Sequence, residues 1–265
     1  MEDTQEKKLD RIQKFRPIDD AFFEVLSEEK GVCQEILRVI MQDDALTVHS
    51  VIPQSSIRNL YGRSVRLDTL CTLGNGAKVN IEIQKRDNDD HLRRARYNAS
   101  MVAVKSSDAG EEYADMKDVY VVYITEKDFL KEGKTIYHIE NVVMETGKVV
   151  ENGLHQIFVN AAVDDGTTIA ELMQCFLQSE VTNDKFPAIR DGIRRLKHTE
   201  GGIGKMCKIM EEVYAEGIEQ GILKAKVEML DRLTKDGGMT LQTACKFAGI
   251  TPEEYETLKK SSKEM

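Results

Sequence analysis

The sequence predicts a mixed α/β fold, in which helices flank a central mixed sheet and a helical extension follows at the C-terminal end. Residues 65–84 alternate between apolar and polar side chains around a Gly-Asn-Gly sequence, which is typical of a β-hairpin. Residues 118–125 are apolar on both faces, as expected of a central strand covered by helices on each side. From Thr168 onwards, apolar residues recur at helical spacing.

Composition indicates a folded, water-soluble chain. It has 265 residues, a net charge of −9 and five cysteines, which lack the close spacing of a zinc or redox site. We expect these thiols to be reduced and mostly buried. No apolar run is long enough to span a membrane, and the first residues do not resemble a signal peptide. These features predict a cytoplasmic protein with no membrane partner.

The hairpin register follows from matching apolar side chains across the two strands. A three-residue loop, 74–76, with Gly76 in a left-handed conformation, aligns the apolar faces of both strands. A two-residue turn would place the apolar face of one strand beside the polar face of the other. The favoured register predicts three cross-strand pairs: Cys71 with Val79, Thr69 with Ile81, and Leu67 with Ile83.

The same register places Asp68 across from Glu82, and Arg66 across from Gln84. Like charges on adjacent strands repel each other, so a positive group is expected between the two acids. Two converging carboxylates suit Mg²⁺, which takes oxygen ligands and retains several waters. A metal ion there could polarise a phosphodiester and activate water. Asp68 and Glu82 are therefore candidate metal ligands.

These residues resemble the PD-(D/E)XK nuclease fold. Asp68 followed by Glu82-Ile83-Gln84 is similar to the Glu-x-Gln variant found in recombination-promoting nucleases, often called PD-(D/E)XK nuclease family transposases. An upstream Asp20-Ala21-Phe22-Phe23 and a downstream helix containing residues 93–97 strengthen the resemblance. It implies a restriction-endonuclease-like fold and a Mg²⁺-dependent DNA endonuclease, with Mn²⁺ as an alternative ion, acting in recombination or mobile-element activity.

The resemblance also implies roles for individual side chains. Gln84, which stands where most such enzymes have lysine, would align the attacking water, and Asp20 would be a further catalytic acid. Asp20 could instead act only as a helix cap. Five further side chains would contact the DNA, namely Arg66, Lys85, Arg93, Arg96 and Tyr97. The three on the predicted helix, at positions 93, 96 and 97, could instead cover apolar surface.

Charge distribution is consistent with a localised contact to nucleic acid. Residues 58–105, here called the basic segment, contain ten Lys or Arg and five Asp or Glu, giving a charge of +5 in an acidic chain. Such a segment could attract a phosphate backbone. It could equally be an ordinary solvated surface.

The predicted organisation has four parts. Residues 1–14 form a flexible N-terminal segment, 15–180 a nuclease-like core, 181–220 a helical extension and 221–265 a small helical unit. The last two helices resemble a helix-turn-helix, but Glu253, Glu254 and Glu256 would repel DNA. We therefore expect docking or homo-oligomerisation through the C-terminal helices. The alternative overall function is a weak or inactive nuclease-fold module that binds partners through the basic segment and these helices.

Overall fold

The computed structural model describes residues 5–59, 64–85 and 90–264, which fall into two compact units, Met1–Cys207 and Lys208–Met265. Its helices are α1 (Gln5–Lys14), α2 (Asp20–Leu26), α3 (Lys30–Met41), α4 (His91–Ser106), α5 (Thr168–Leu177), α6 (Pro187–His198), α7 (Glu200–Lys235), α8 (Leu241–Phe247) and α9 (Pro252–Glu264). Its strands are β1 (Val48–Ile57), β2 (Val65–Leu73), β3 (Lys78–Gln84), β4 (Val119–Thr125), β5 (Ile136–Ile139), β6 (Asn141–Val143), β7 (Lys148–Val150) and β8 (Leu154–Asn160).

The first unit is built on a six-stranded mixed sheet in the order β1-β2-β3-β4-β8-β5. Strands β3, β4 and β8 run parallel to one another, whereas β1, β2 and β5 pair in the antiparallel sense. Strands β6 and β7 form a separate two-stranded ribbon. The mixed sheet, its flanking helices and the helical C-terminal region confirm the predicted fold class.

The hairpin of β2 and β3 has the predicted register from Thr69 to Thr72, and the predicted pairs of Leu67 with Ile83 and of Arg66 with Gln84 fall beyond the end of that ladder. Cys71 pairs with Val79 and Thr69 with Ile81, and Gly76 adopts a φ of 90° in the intervening loop. That left-handed conformation is readily available to glycine, which has no Cβ to clash with the backbone. The turn therefore aligns the two apolar strand faces as expected.

Helices cover both faces of the hairpin. On one face Thr69 donates a hydrogen bond to Ser27, just after α2, with Oγ1 2.7 Å from the serine Oγ. On the other face α4 packs its small buried residues Ala95 and Ala99 into a core with Leu70. This cover on both sides explains why β3 is buried along most of its length, including its polar members.

Strand β1 contains a proline and continues beyond it. The strand runs on from Pro53 to Ile57, and Pro53 pairs with Thr69 of β2. Because β1 lies at the edge of the sheet, a residue without an N–H is tolerated there.

The second unit, Lys208–Met265, has its own small core. Val227 and Leu230 of α7 pack with Ala244, Cys245 and Tyr255 of the two following helices. Helix α7 runs without interruption from Glu200 to Lys235 and so passes through the boundary proposed between residues 220 and 221. A glycine inside a helix costs only about 1 kcal/mol relative to alanine, which the surrounding helix-forming residues offset.

The start of α9 has a capping box. Thr251 N–H donates to Glu254 Oε2 at 2.7 Å, and Glu254 N–H donates to Thr251 Oγ1 at 3.1 Å. Among the described residues, none of the helices combines the length and the apolar composition that a membrane crossing requires.

Candidate active site

Asp68 and Glu82 lie where the pairing between β2 and β3 ends. The backbone ladder stops at Thr69 and Ile81, one residue short of the two acids. Beyond that point, Ile83 N–H donates to Asp68 Oδ2 at 2.8 Å, and Asp68 N–H donates to Glu82 Oε1 at 3.3 Å. Each carboxylate thus bonds to the backbone of the opposite strand. The structure brings the two predicted metal ligands together, not as a regular cross-strand pair but as side chains that replace ladder hydrogen bonds.

Burial disfavours the charged form of both acids. Removal from water and the charge of Glu82 raise the pKa of Asp68 well above its usual range, and the charge of Asp20 adds to the effect. Burial also raises the pKa of Glu82, whose side chain is fully buried, although contacts with Arg94 and Asn80 oppose that rise. A site that disfavours its own negative charge is suited to receive a cation.

Arg94 of α4 connects the acids to the end of β3. Its Nη2 lies 3.2 Å from Glu82 Oε2, and its Nη1 donates to Gln84 Oε1 at 2.9 Å. Gln84 therefore faces the carboxylates, where the sequence placed it. Arg94 was not among the site residues predicted from the sequence. Its spacing along the helix could have indicated that it faces the sheet, because Arg94 lies one helical turn from buried His91 and one turn from buried Asn98.

Asp20 and Lys85 lie at the edge of this site. Asp20 is the exposed first residue of α2, near enough for its charge to raise the pKa of Asp68. Its neighbour Asp19, not Asp20, occupies the N-cap position, and Asp19 makes no side-chain capping bond. Lys85 Nζ instead lies 2.7 Å from Asp19 Oδ1. The structure therefore places Asp20 towards the carboxylates and Lys85 in an ion pair with the start of α2.

A cavity of about 500 Å³ adjoins Arg94, and we call it the arginine pocket. Four of the five proposed substrate-binding residues line it, and Lys85 does not. Its lining consists of Ser64, Val65, Arg66, Asp90, Arg93, Arg94, Arg96, Tyr97 and Asn98. The pocket contains four guanidinium groups and one carboxylate, so it is strongly positive. Four charged residues of the basic segment, Arg63, Arg86, Asp87 and Asp89, lie outside the described residues.

Contacts within the arginine pocket differ among its members. Arg93 is well exposed and forms an ion pair with Asp90, with Nε 3.3 Å from Oδ2. The Tyr97 hydroxyl accepts a hydrogen bond from Asn59 Nδ2 at 3.2 Å. Asn98 is buried, and its Nδ2 has no hydrogen-bond partner among the described residues. A buried donor of this kind is expected to meet an acceptor from water or from a ligand.

The donor set at the two acids fits a divalent cation with oxygen ligands. Asp68 and Glu82 supply two carboxylates, and neighbouring Asn80 has a buried Oδ1 without a hydrogen-bond partner in the described part of the chain. No group of three or more His, Cys, Asp or Glu suited to a metal occurs among the described residues. Water would therefore complete the coordination, as is usual for Mg²⁺. Asn80 was not singled out from the sequence.

Comparison with known proteins agrees with this geometry. The family model for PD-(D/E)XK nuclease family transposases matches residues 19–168, which include α2, both hairpin strands, α4 and the rest of the sheet. Neither the curated proteins nor the solved structures gave a significant match. The family match covers more than half of the chain and contains the acids, Gln84 and the arginine pocket. The chain is a member of the PD-(D/E)XK nuclease family transposases.

Proposed function

We propose that the protein is a metal-dependent DNA endonuclease that hydrolyses phosphodiester bonds during recombination or mobile-element activity. The observation that supports this most strongly is the convergence of Asp68 and Glu82 at the end of the β2–β3 ladder, with the pKa of both acids raised. Membership of a nuclease family supports the reaction class. We further propose a cytoplasmic location and DNA as the substrate.

Asp68 and Glu82 would hold Mg²⁺, or Mn²⁺ as an alternative. When bound, the ion would polarise the phosphodiester and lower the pKa of a coordinated water. The carboxylates must lose their protons to bind it, and their raised pKa values make that loss sensitive to pH. Arg94 assists by keeping Glu82 charged, because a guanidinium at 3.2 Å favours the carboxylate form.

Gln84 is proposed to position the attacking water. Its Oε1 accepts from Arg94 Nη1 at 2.9 Å, which orients the carboxamide, and an amide nitrogen such as its Nε2 is a donor of the kind that can bond a water oxygen. Glutamine has no charge and is not a base at neutral pH, so it contributes orientation only. Asp20 is proposed as a further acid that adds negative charge near Asp68.

Arg66, Arg93, Arg96 and Tyr97 are proposed to hold the DNA backbone in the arginine pocket. Guanidinium groups bind phosphate oxygens through two parallel hydrogen bonds, and four of them line this cavity. The contact of Arg94 with Glu82 joins the pocket to the two acids, so a bound backbone would pass beside the site of hydrolysis. Lys85, half-exposed next to Gln84, is proposed as an outer backbone contact.

Two observations favour a second function, a nuclease-fold module that binds nucleic acid or protein without turnover. Arg94 already pairs with Glu82 and so neutralises part of the charge that would attract a metal ion. Gln84 also supplies no charge in place of the usual lysine. This alternative retains the arginine pocket and the C-terminal helices as binding surfaces but predicts no hydrolysis.

Cleavage of supercoiled plasmid DNA in the presence of Mg²⁺ or Mn²⁺ distinguishes the two functions. The endonuclease proposal predicts nicked and linear products from the parent and loss of cleavage in Asp68→Asn. Asp44→Asn, which removes an exposed carboxylate outside the site, serves as the matched control and should cleave normally. Cleavage that survives Asp68→Asn contradicts the mechanism, and absence of cleavage in the parent with retained DNA binding supports the binding module.

A further inference from the structure

Helix α7 carries an apolar surface that no described part of its own unit covers. All twelve residues from 211 to 222 are exposed, although several are large and apolar. Tyr214 is 71% exposed and Ile222 is 62% exposed. Exposed apolar residues recur every three or four positions from Tyr214 to Met229, so they lie on one helix face. We call this face the α7 stripe; it comprises Tyr214, Ile218, Ile222, Ala225 and Met229.

The α7 stripe is distinct from the face that builds the core of the C-terminal unit. Val227 and Leu230 pack against α8 and α9. With 3.6 residues per turn, these two residues point to roughly the opposite side of the helix from Ile218 and Ala225. The short helices α8 and α9 therefore leave the α7 stripe uncovered. An extended apolar helix face of this kind marks an interaction site in soluble proteins.

Charge along α7 indicates what covers the stripe. Residues 208–220 contain one Lys and four Glu, a net charge of −3, whereas residues 221–235 contain four Lys or Arg and two acids, a net charge of +2. A second α7 helix laid in the antiparallel direction would place the acidic half of each helix beside the basic half of the other. A parallel arrangement would place like charges together.

The shape of the surface agrees with the antiparallel arrangement. A groove of about 330 Å³ lies at the C-terminal end of the stripe, lined by residues that include Ala225, Met229 and Leu233. An antiparallel pair centred between residues 221 and 222 brings Tyr214 of one copy next to Met229 of the other. The groove is thus positioned to receive the Tyr214 ring. Gly217 and Gly221, one turn apart beside the stripe, allow close approach of the two backbones.

We propose that the protein dimerises through the α7 stripe, with the two α7 helices antiparallel. Among the C-terminal helices, α7 would form the contact between the two copies. Helices α8 and α9 pack against roughly the opposite side of α7. Self-association of α7 does not depend on cleavage activity, so it can be tested in a chain that lacks turnover.

Sedimentation velocity of the full chain tests the dimer. The parent should dimerise as its concentration rises, and the double substitution Ile218→Glu with Ile222→Glu should raise the dissociation constant more than about a hundredfold, because two charges become buried without partners. Gln220→Glu adds a negative charge on the opposite side of the helix and should leave the dimer intact. Far-UV circular dichroism confirms that each variant remains folded. A parent that stays monomeric, or a double variant that dimerises like the parent, overturns the proposal.

Charge reversal and cross-linking test the antiparallel direction. Glu219→Lys and Lys224→Glu should each weaken the dimer, and combining them should restore it. With Cys207 replaced by serine, Ile222→Cys should form a disulfide between copies, since this position lies near the two-fold axis. Tyr214→Cys should cross-link to Met229→Cys but not to itself. Efficient cross-linking of Tyr214→Cys to itself would show a parallel pair and overturn the proposed arrangement.

Discussion

Arg94 Nη2 lies 3.2 Å from Glu82 Oε2, so a partly exposed cation on α4 is paired with a fully buried carboxylate on β3. The same guanidinium bonds to Gln84. Burial raises the pKa of Glu82, and the charge of Arg94 opposes that rise and so favours the carboxylate form. The pair also attaches the helix that lines the arginine pocket to the strand that carries the candidate catalytic residues.

Arg94→Met is predicted to destabilise the protein by about 2 kcal/mol at neutral pH, because it leaves a buried carboxylate unpaired. The loss should diminish at acidic pH, where Glu82 is protonated. Adding Glu82→Gln to Arg94→Met should recover most of the stability, since the unpaired charge is removed. Urea unfolding of the parent, both single variants and the double variant measures the coupling between them. Additive effects of the two substitutions would contradict the pairing.

Asp68→Asn is predicted to stabilise the metal-free protein at neutral pH. The pKa of Asp68 is raised in the folded state, so the folded protein binds the proton more tightly than the unfolded chain does. Stability from this group is present at low pH and is lost as the pH rises through the raised pKa. Asparagine does not ionise, so the variant does not lose this stability as the pH rises. Its Oδ1 can still accept from Ile83 N–H, which donates to Asp68 at 2.8 Å in the parent.

Thermal unfolding over a range of pH measures this effect. The melting temperature of Asp68→Asn should exceed that of the parent by a few degrees at pH 7, corresponding to about 1 kcal/mol. The two should converge as the pH falls. Asp44→Asn, in an exposed segment, should not show the difference. A lower melting temperature for Asp68→Asn at neutral pH would contradict a raised pKa of Asp68 in the folded protein.

Arg96→Gln and Arg66→Gln are predicted to weaken DNA binding without changing stability. Each lost phosphate contact should reduce the slope of log affinity against log salt by about 0.9. Fluorescence anisotropy with a labelled duplex, measured at several salt concentrations and without divalent metal, gives this slope. Arg11→Gln on α1 removes the same charge outside the lining of the arginine pocket and is the control. An unchanged slope in both pocket variants would exclude the pocket as the backbone contact.

Local sequence pattern was sufficient to predict the hairpin. Alternation on both strands and a glycine able to adopt a φ of 90° fix the pairing of Cys71 with Val79. The end of the ladder was not predictable in this way. There, Asp68 and Glu82 bond to backbone N–H groups of the opposite strands. Whether side chains replace the ladder hydrogen bonds in this way depends on the separation of the strands in three dimensions.

The role of Arg94 was missed because the spacing of Arg93, Arg96 and Tyr97 suggested a different face of α4. The packing face is set by His91, Ala95 and Asn98, and Arg94 belongs to it. Arginine on a buried face becomes understandable only when its partner Glu82, on a strand, is known. The apolar stripe on α7 was missed for a related reason. Periodicity identifies an apolar face but does not indicate whether the same chain covers it.

Asp68 and Glu82 are proposed to hold one divalent ion between them, and a Mn²⁺ titration followed by electron paramagnetic resonance tests this binding most directly. The parent should bind one Mn²⁺ that Mg²⁺ displaces, with affinity that falls as the pH is lowered. Asp68→Asn and Glu82→Gln should each abolish this binding, whereas Asp44→Asn should retain it. A parent that binds no ion, or an Asp68→Asn variant that binds Mn²⁺ with unchanged affinity, would contradict the account.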